Sequence, residues 1–549
     1  MNKPTSHAIS LGVVLACAAL LLWLWREHRS GAGQPAAENL PVAAETIARP
    51  GAGPSPPAAS PLAAETRALL ASLQRALARR DARAREAVLA FKDEASLHRF
   101  IVRAPKAGLA VLSQVADLRT VRVRFDRFNS LQDELLQNAD DYAAISANYT
   151  VNVPTVPAKE ERAASEQVPF GNDTLPFLGV PGDHSHWGRG TTIAILDTGV
   201  APDATFGAGR LRTYDIGLGT APGSGPADGH GTAVAALAAG LSPDAAGVAP
   251  AANLLSIRVT DAGGMSDIFT LSQAIVAAVN AGAKIVNISL GGYATGAILE
   301  GALNYAAEHG ALIVAAAGND QAAQLVWPAA YPGVVSVGAI DKAEQQVTFS
   351  NSGAQLQLTA PGYGVQTAWL DGARAHVDGT SASAPLVAGA IAAVMSQNPS
   401  LTPRQAADLL IRTANDGGQP GTDAAFGRGI LNLGWAMNSS SPGYVDTAVS
   451  THFFDAAGNR MQFVVQNRSA QMVSGMTLNV NAGATGTTQS VPSLAPGESY
   501  LASVPVNDVA LNSAGRLTFT TVLANPTGLV DRVPANNRKA SVLTPPGKP

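Results

Sequence analysis

The stretch "TTIAILDTGV", residues 191–200, is a short run without polar alternation that closes on a carboxylate, Asp197. A strand apolar on both faces belongs inside a sheet that is covered on both sides. Working outward, similar runs recur at Asn253–Thr260, Lys284–Leu290, Leu312–Ala317 and Val334–Ile340. Helical patterns near Thr232–Leu241, Asp267–Ala281 and Ile298–Glu308 fall between them, and two more follow at Ala384–Gln397 and Pro403–Ala414. Gly310 offers a C-cap to the helix before it. The alternation predicts an α/β fold, with a mostly parallel sheet and helices on both faces.

In such sheets functional groups collect at the carboxyl ends of the strands. Asp197 ends its strand, and burying a carboxylate there is costly unless it is paired. "DGHGTAVAALAAG" places His230 at the mouth of a small-residue helix, "VAAAGN" places Asn319 at another strand end, and "DGTSASAPLVAG" places Ser381 at the start of a helix apolar all round. These are parts for acyl transfer by serine. A hydroxyl needs a base to take its proton, and imidazole can serve near neutral pH. A buried carboxylate orients that imidazole, and the oxyanion needs donors aimed at it in advance. Asn319 can supply a side-chain N–H; the backbone N–H of Ser381, at a helix start, can supply another. Taken singly, each motif reads as a turn, a loop or a strand end. Their combination in one domain carries the argument.

"AILDTGV", "DGHGTAVAALAAG", "NISLGG", "VAAAGN" and "GTSASAPLVAGAIA" resemble, in order, the signature segments of the subtilisin-like serine proteases, the subtilases. The order Asp, His, Ser fits that family, with separations of 33 and 151 positions. The resemblance spans roughly residues 188–435. It implies Asp197 as orienting acid, His230 as general base, Ser381 as nucleophile and Asn319 with Ser381 as oxyanion donors. It also implies substrate-lining edges at Ser289, Leu290, Gly291 and Gly292 and at Ala316, Ala317 and Gly318, where a peptide docks as an added strand. A shallow pocket beside those edges would take the side chain before the cut. The partners implied are protein or peptide substrates. The competing reading is a catalytically silent subtilase-fold binding or adhesion protein, against which the complete motifs argue.

Three departures from the family pattern stand out. Ala382, Ser383 and Ala384 replace Met, Ala and Ser, and Leu386 replaces His; the nucleophile's position is unchanged, and an oxidisable methionine is removed. The loop "LSPDAAGVAP", residues 241–250, lacks the Asn-rich insertion that binds calcium in secreted subtilisins. No cofactor is expected for catalysis; a structural calcium stays open, its ligands unknown, although the usual loop for it is missing. Only eight positions separate Asn319 from Trp327, which leaves the floor of the specificity pocket unreadable, with Val326 a candidate to narrow it.

The 549 residues leave room for several domains. Ala8–Trp25 is an uncharged, mostly apolar run, read as a signal-anchor, or as a signal peptide if cleaved, within residues 1–30. Either sends the rest out of the cytoplasm: membrane-anchored by residues 8–25 in the first case, secreted in the second. Residues 31–60 read as an Ala/Pro/Gly linker. Residues 61–153 predict a small α+β domain in β-α-β-β-α-β order, similar to the family's propeptides, which implies a zymogen whose own propeptide inhibits it. Residues 154–185 read as a connecting and processing segment, 186–440 as the catalytic domain and 445–549 as a β-sandwich of short strands. The net charge of −4 gives no electrostatic case for nucleic acid, and the single cysteine, Cys17, excludes an intramolecular disulfide framework.

Overall fold

The computed structural model describes residues 70–155, 167–221, 225, 227–483, 485–506 and 516–543. Ala8–Trp25 and the 31–60 linker lie outside the described residues. Residues 61–549 belong to one contiguous unit.

The amino-terminal domain runs β1 (Ala82–Phe91), α1 (Glu94–Arg103), β2 (Leu109–Val115), β3 (Thr120–Phe125), α2 (Phe128–Gln137) and β4 (Tyr142–Asn152). Its strands are antiparallel, and Asp93 caps α1 by accepting from the Ser96 N–H at 2.7 Å. Leu89, Phe91, Phe100, Val121, Val123 and Leu131 close its core. The order β2-β3-β1-β4 does not stop at the domain edge. A fifth strand, Met265–Asp267 of the next domain, pairs with β4.

The central domain contributes β5 (Thr192–Asp197), β6 (Leu211–Tyr214), α3 (His230–Ala239), β7 (Asn253–Arg258), β8 (Met265–Asp267), α4 (Ile268–Asn280), β9 (Ile285–Ile288), α5 (Ala297–Glu308) and β10 (Leu312–Ala316). It continues with β11 (Val335–Ile340), β12 (Leu358–Pro361), the hairpin β13 (Val365–Ala368) and β14 (Arg374–Val377), α6 (Thr380–Gln397) and α7 (Pro403–Arg412). Seven strands form one sheet in the order β12-β11-β10-β9-β5-β7-β6, with every pairing parallel. One apolar core holds α3 and α6 on one face of this sheet, and another holds α4 and α5 on the other. This is the doubly covered parallel sheet that the unalternating strands require.

α6 begins at Thr380, four residues before the expected start at Ala384. Thr and Ser are mediocre helix formers, and a run of small residues lacks the apolar periodicity that marks a helix start. Here the residues from Thr380 to Val394 are all buried, and tertiary packing decides. The early start places Ser381 inside the first turn.

After residue 445 two four-stranded antiparallel sheets form a sandwich. One joins β15 (Thr447–Val449), β16 (Phe453–Asp455), β17 (Arg460–Asn467) and β20 (Ser499–Pro505); the other joins β18 (Thr477–Ala482), β19 (Thr485–Ser490), β21 (Leu517–Ala524) and β22 (Arg538–Leu543). Phe463, Leu478 and Phe519 fill the space between them.

Candidate active site

β5 delivers Asp197 fully buried at its carboxyl end. Asp197 Oδ1 lies 2.8 Å from His230 Nδ1 and accepts the Thr198 N–H at 2.7 Å. With the carboxylate ionised, the shared proton sits on Nδ1, and Nε2 is left as a base. His230 opens α3, and its side chain is 17% exposed, so a substrate can reach it. Two features hold this geometry. The Thr198 hydroxyl donates to Asp228 O at 3.2 Å and accepts the Gly231 N–H at 3.0 Å, tying the strand end to the helix start. Gly231 has no side chain because a Cβ there would run into Gly199 O and press on Asp197 Cβ. α3 packs against α6, which carries Ser381.

Ser381 is 5% exposed in the first turn of α6. Pro385 follows four residues later, and its missing N–H leaves Ser381 O without its helical partner. The Ser289 hydroxyl fills that place at 3.1 Å, itself receiving the Asn287 amide at 3.0 Å. Ser381 Oγ in turn donates to Ser289 O at 3.2 Å. Among the described residues no hydrogen bond joins it to His230; such bonds commonly tighten only once substrate is bound.

Asn319 follows β10 and is buried. Its Oδ1 accepts both the backbone N–H and the hydroxyl of Thr380, each at 2.9 Å. Two donors on one oxygen fix the amide's orientation, so Nδ2 faces the other way. That Nδ2 is buried and has no hydrogen-bond partner. An unsatisfied buried donor costs about 1–3 kcal/mol. The Ser381 N–H, second in the helix, likewise has no intrahelical acceptor. Thr380 thus aims the Asn319 amide.

The predicted edges divide. Gly291 exchanges two hydrogen bonds of 3.0 Å with Asn152, the last residue of β4. Gly292 pairs inward with Trp327, at 2.8 and 3.1 Å, although a Cβ on it would also crowd Thr150 O. Ala316 and Ala317 are buried, and Ala317 is bonded to Val337 and Val326. The Gly318 N–H donates to the Thr380 hydroxyl at 3.2 Å. A second edge was not seen from the sequence: β8 pairs with β4, Thr150 opposite Asp267 and Asn152 opposite Met265, and Gly264 O receives the Val153 N–H at 3.0 Å. The amino-terminal domain therefore threads Thr150–Val153 between two catalytic-domain edges beside Ser381. No motif marks β8; only its pairing reveals it.

Among the described residues no group of three or more His, Cys, Asp or Glu side chains could hold a metal ion. The short 241–250 loop is tied down by Arg374, which bonds Asp244 at 2.9 Å and Asp203 at 3.2 Å.

Residues 188–429 match the model of the subtilase family. The chain is 35% identical to subtilisin Savinase of Lederbergia lenta over 278 residues, covering 49% of this chain and 98% of that protein. The chain belongs to the subtilase family. It is also 34% identical to the thermostable alkaline protease of Halalkalibacterium halodurans over 296 residues, covering 52% of this chain and 78% of that one. The fold extends beyond the subtilase domain: fervidolysin from Fervidobacterium pennivorans, a keratinolytic enzyme related to subtilisin, aligns over 84% of this chain and 76% of its own at 21% identity and a TM-score of 0.55. The protein is a subtilisin-like serine endopeptidase that acts on proteins or peptides. Nothing in its relatives or its geometry favours a silent binding protein.

Proposed function

We propose that Ser381 is the nucleophile of this endopeptidase and that residues 61–153 are its inhibitory propeptide, removed by the enzyme itself. His230 Nε2 takes the Ser381 proton as Oγ attacks the scissile carbonyl, and Asp197 stabilises the imidazolium. The oxyanion is received by Asn319 Nδ2 and the Ser381 N–H. His230 then returns the proton to the leaving amine, and water releases the acyl group from Ser381 by the same route. The observation that carries this reading is Asn319: its carbonyl is held by Thr380, and its buried N–H has no protein partner. The reaction uses side chains and backbone alone, so no cofactor enters it; a structural calcium is not part of the proposal.

Self-processing is supported by the strand that occupies the cleft. Asn152 faces Gly291, so two residues on, Pro154 comes opposite Ser289, whose carbonyl holds the Ser381 hydroxyl. The bond offered to the nucleophile is Pro154–Thr155. The apolar run Ala8–Trp25 supports an extracytoplasmic enzyme, anchored by that segment or secreted once it is cut. On expression, the wild-type chain shortens to a form beginning at Thr155, and Ser381→Ala remains full length. If the Ser381→Ala chain shortens at the same bond, self-processing is wrong.

A further inference from the structure

Ser289–Gly291 and Ala316–Gly318 approach each other through one side chain, Val326. A Cβ on Gly291 would lie 2.5 Å from Val326 Cγ2, and a Cβ on Gly318 would lie 3.0 Å from Val326 Cγ1. One methyl of the isopropyl group thus rests against each edge. Val326 is 4% exposed and is not free to swing away. Its N–H donates to Ala317 O at 3.1 Å, and the next residue, Trp327, is bonded on both sides to Gly292.

The neighbouring wall is equally fixed. Asn351 Oδ1 accepts the N–H groups of Asp320 and Ala322, each at 2.9 Å. Its Nδ2 donates to Tyr293 OH at 2.9 Å and to Ala317 O at 3.2 Å, and it lies against Gly318 where a Cβ would be. Tyr293 OH continues to Asp320 at 2.6 Å, so the amide and phenol groups of this wall are spent on one another. Of this network only the exposed Asp320 carboxylate keeps acceptor capacity.

We propose that Val326 closes the pocket for the side chain preceding the cut, so that the enzyme cleaves after small residues and rejects aromatic and long ones. The proposal rests on the serine endopeptidase reading above and adds its substrate class. The chain's own cleft-bound segment agrees with it. The residue that register brings opposite Ser289 is Pro154, with a compact ring and no long side chain. A closed floor excludes rather than merely weakens, because close-packed interiors yield little to an added ring.

The test uses processed enzyme and peptide anilides that differ only in the residue before the cut: Ala, Leu or Phe. For wild type, kcat/KM for Ala should exceed that for Phe by about a hundredfold or more, the scale of discrimination a shaped apolar pocket reaches. Val326→Gly should shift the Phe-to-Ala ratio by at least about tenfold toward Phe, with Val326→Ala between the two. The Val326→Ala variant guards against a loop loosened by glycine. Phe cleaved as well as Ala by wild type, or a ratio unmoved in both variants, overturns the proposal. Each preparation is also titrated with a fluorophosphonate. Labelled enzyme with the wrong preference defeats the pocket alone, whereas no label on Ser381 defeats the endopeptidase reading and the pocket with it.

Discussion

Two domains grip the subtilase domain, and they do so in different ways. The amino-terminal domain enters through backbone: β4 joins β8 as one more strand, and Asn152 pairs with Gly291. Around this lies a charged cluster. Arg83 and Arg122 both reach Asp267, at 3.3 and 3.4 Å, and Arg122 also covers the Phe269 ring. Asn148 Oδ1 meets the Phe269 N–H at the start of α4. The carboxy-terminal sandwich instead interlocks by side chains. Fully buried Arg468 stacks on Trp435 and donates to Gln466 Oε1 at 2.7 Å, and Lys539 pairs with Glu344. A cavity of about 460 Å³, bordered by Asp416, Trp435, Asp446 and Arg468, lies at this joint. Burial raises the Asp416 carboxyl to about 6 and pushes Asp446 up as well. Strand pairing in a cleft is what a substrate also offers, so the first contact can be exchanged after a cut. The second has no such competitor and is built to last.

The sharpest way to break this contrast is at Asp267. Replacing Arg83 and Arg122 together by alanine leaves its buried carboxylate without a cationic partner in the complex. Removing the partners of a buried charge commonly costs about 2 kcal/mol or more, so the proposed inhibition by the cleaved amino-terminal domain should weaken by about tenfold or more. The measurement is the lag between self-processing and full activity, which should shorten; raised salt should also shorten it in wild type, and less in the variant, which has no arginine pairs left to screen. An unchanged lag would mean that strand pairing alone holds the domain. The arginines are cleaner probes than Asp267, which also caps α4 at the Thr270 N–H.

The carboxy-terminal sandwich carries a pH-dependent effect of its own, present only below neutral pH. His452 sits within the sandwich between Phe463 and Phe519, its ring nitrogens 2.9 Å from the hydroxyls of Ser541 and Thr521. Burial, aided by the Lys539 charge, lowers it from 6.5 to about 4. The folded state therefore disfavours the proton. The stability it contributes is intact above about pH 6.5 and is lost as pH falls toward 4, by an amount on the order of 3 kcal/mol at most. Thermal unfolding of the Ser381→Ala chain should show this decline, and adding His452→Gln should flatten it. A profile that keeps its slope in that variant would place the acid sensitivity elsewhere.

How much of this was legible in the sequence depends on range. Asp197, His230, Asn319 and Ser381 were readable because each lies in a local motif at a strand or helix end. Thr380 and Thr198 were not, since a threonine in a small-residue run looks like any turn residue until its hydroxyl is seen between two elements. β8 was invisible for a different reason: three residues, Met265–Asp267, carry no periodicity, and their role exists only through a partner more than a hundred positions away. Val326 stands out in the sequence only as a residue that narrows the pocket floor; its contacts with Gly291 and Gly318 arise from the fold. Boundaries failed where burial overrules propensity, as at the start of α6.

The most direct test of the central claim is mass spectrometry of the processed enzyme after reaction with a fluorophosphonate. A single adduct on the peptide carrying Ser381, lost in His230→Ala, is the result expected. An unmodified Ser381 peptide, in a preparation where a reference serine protease is fully labelled, would contradict the account.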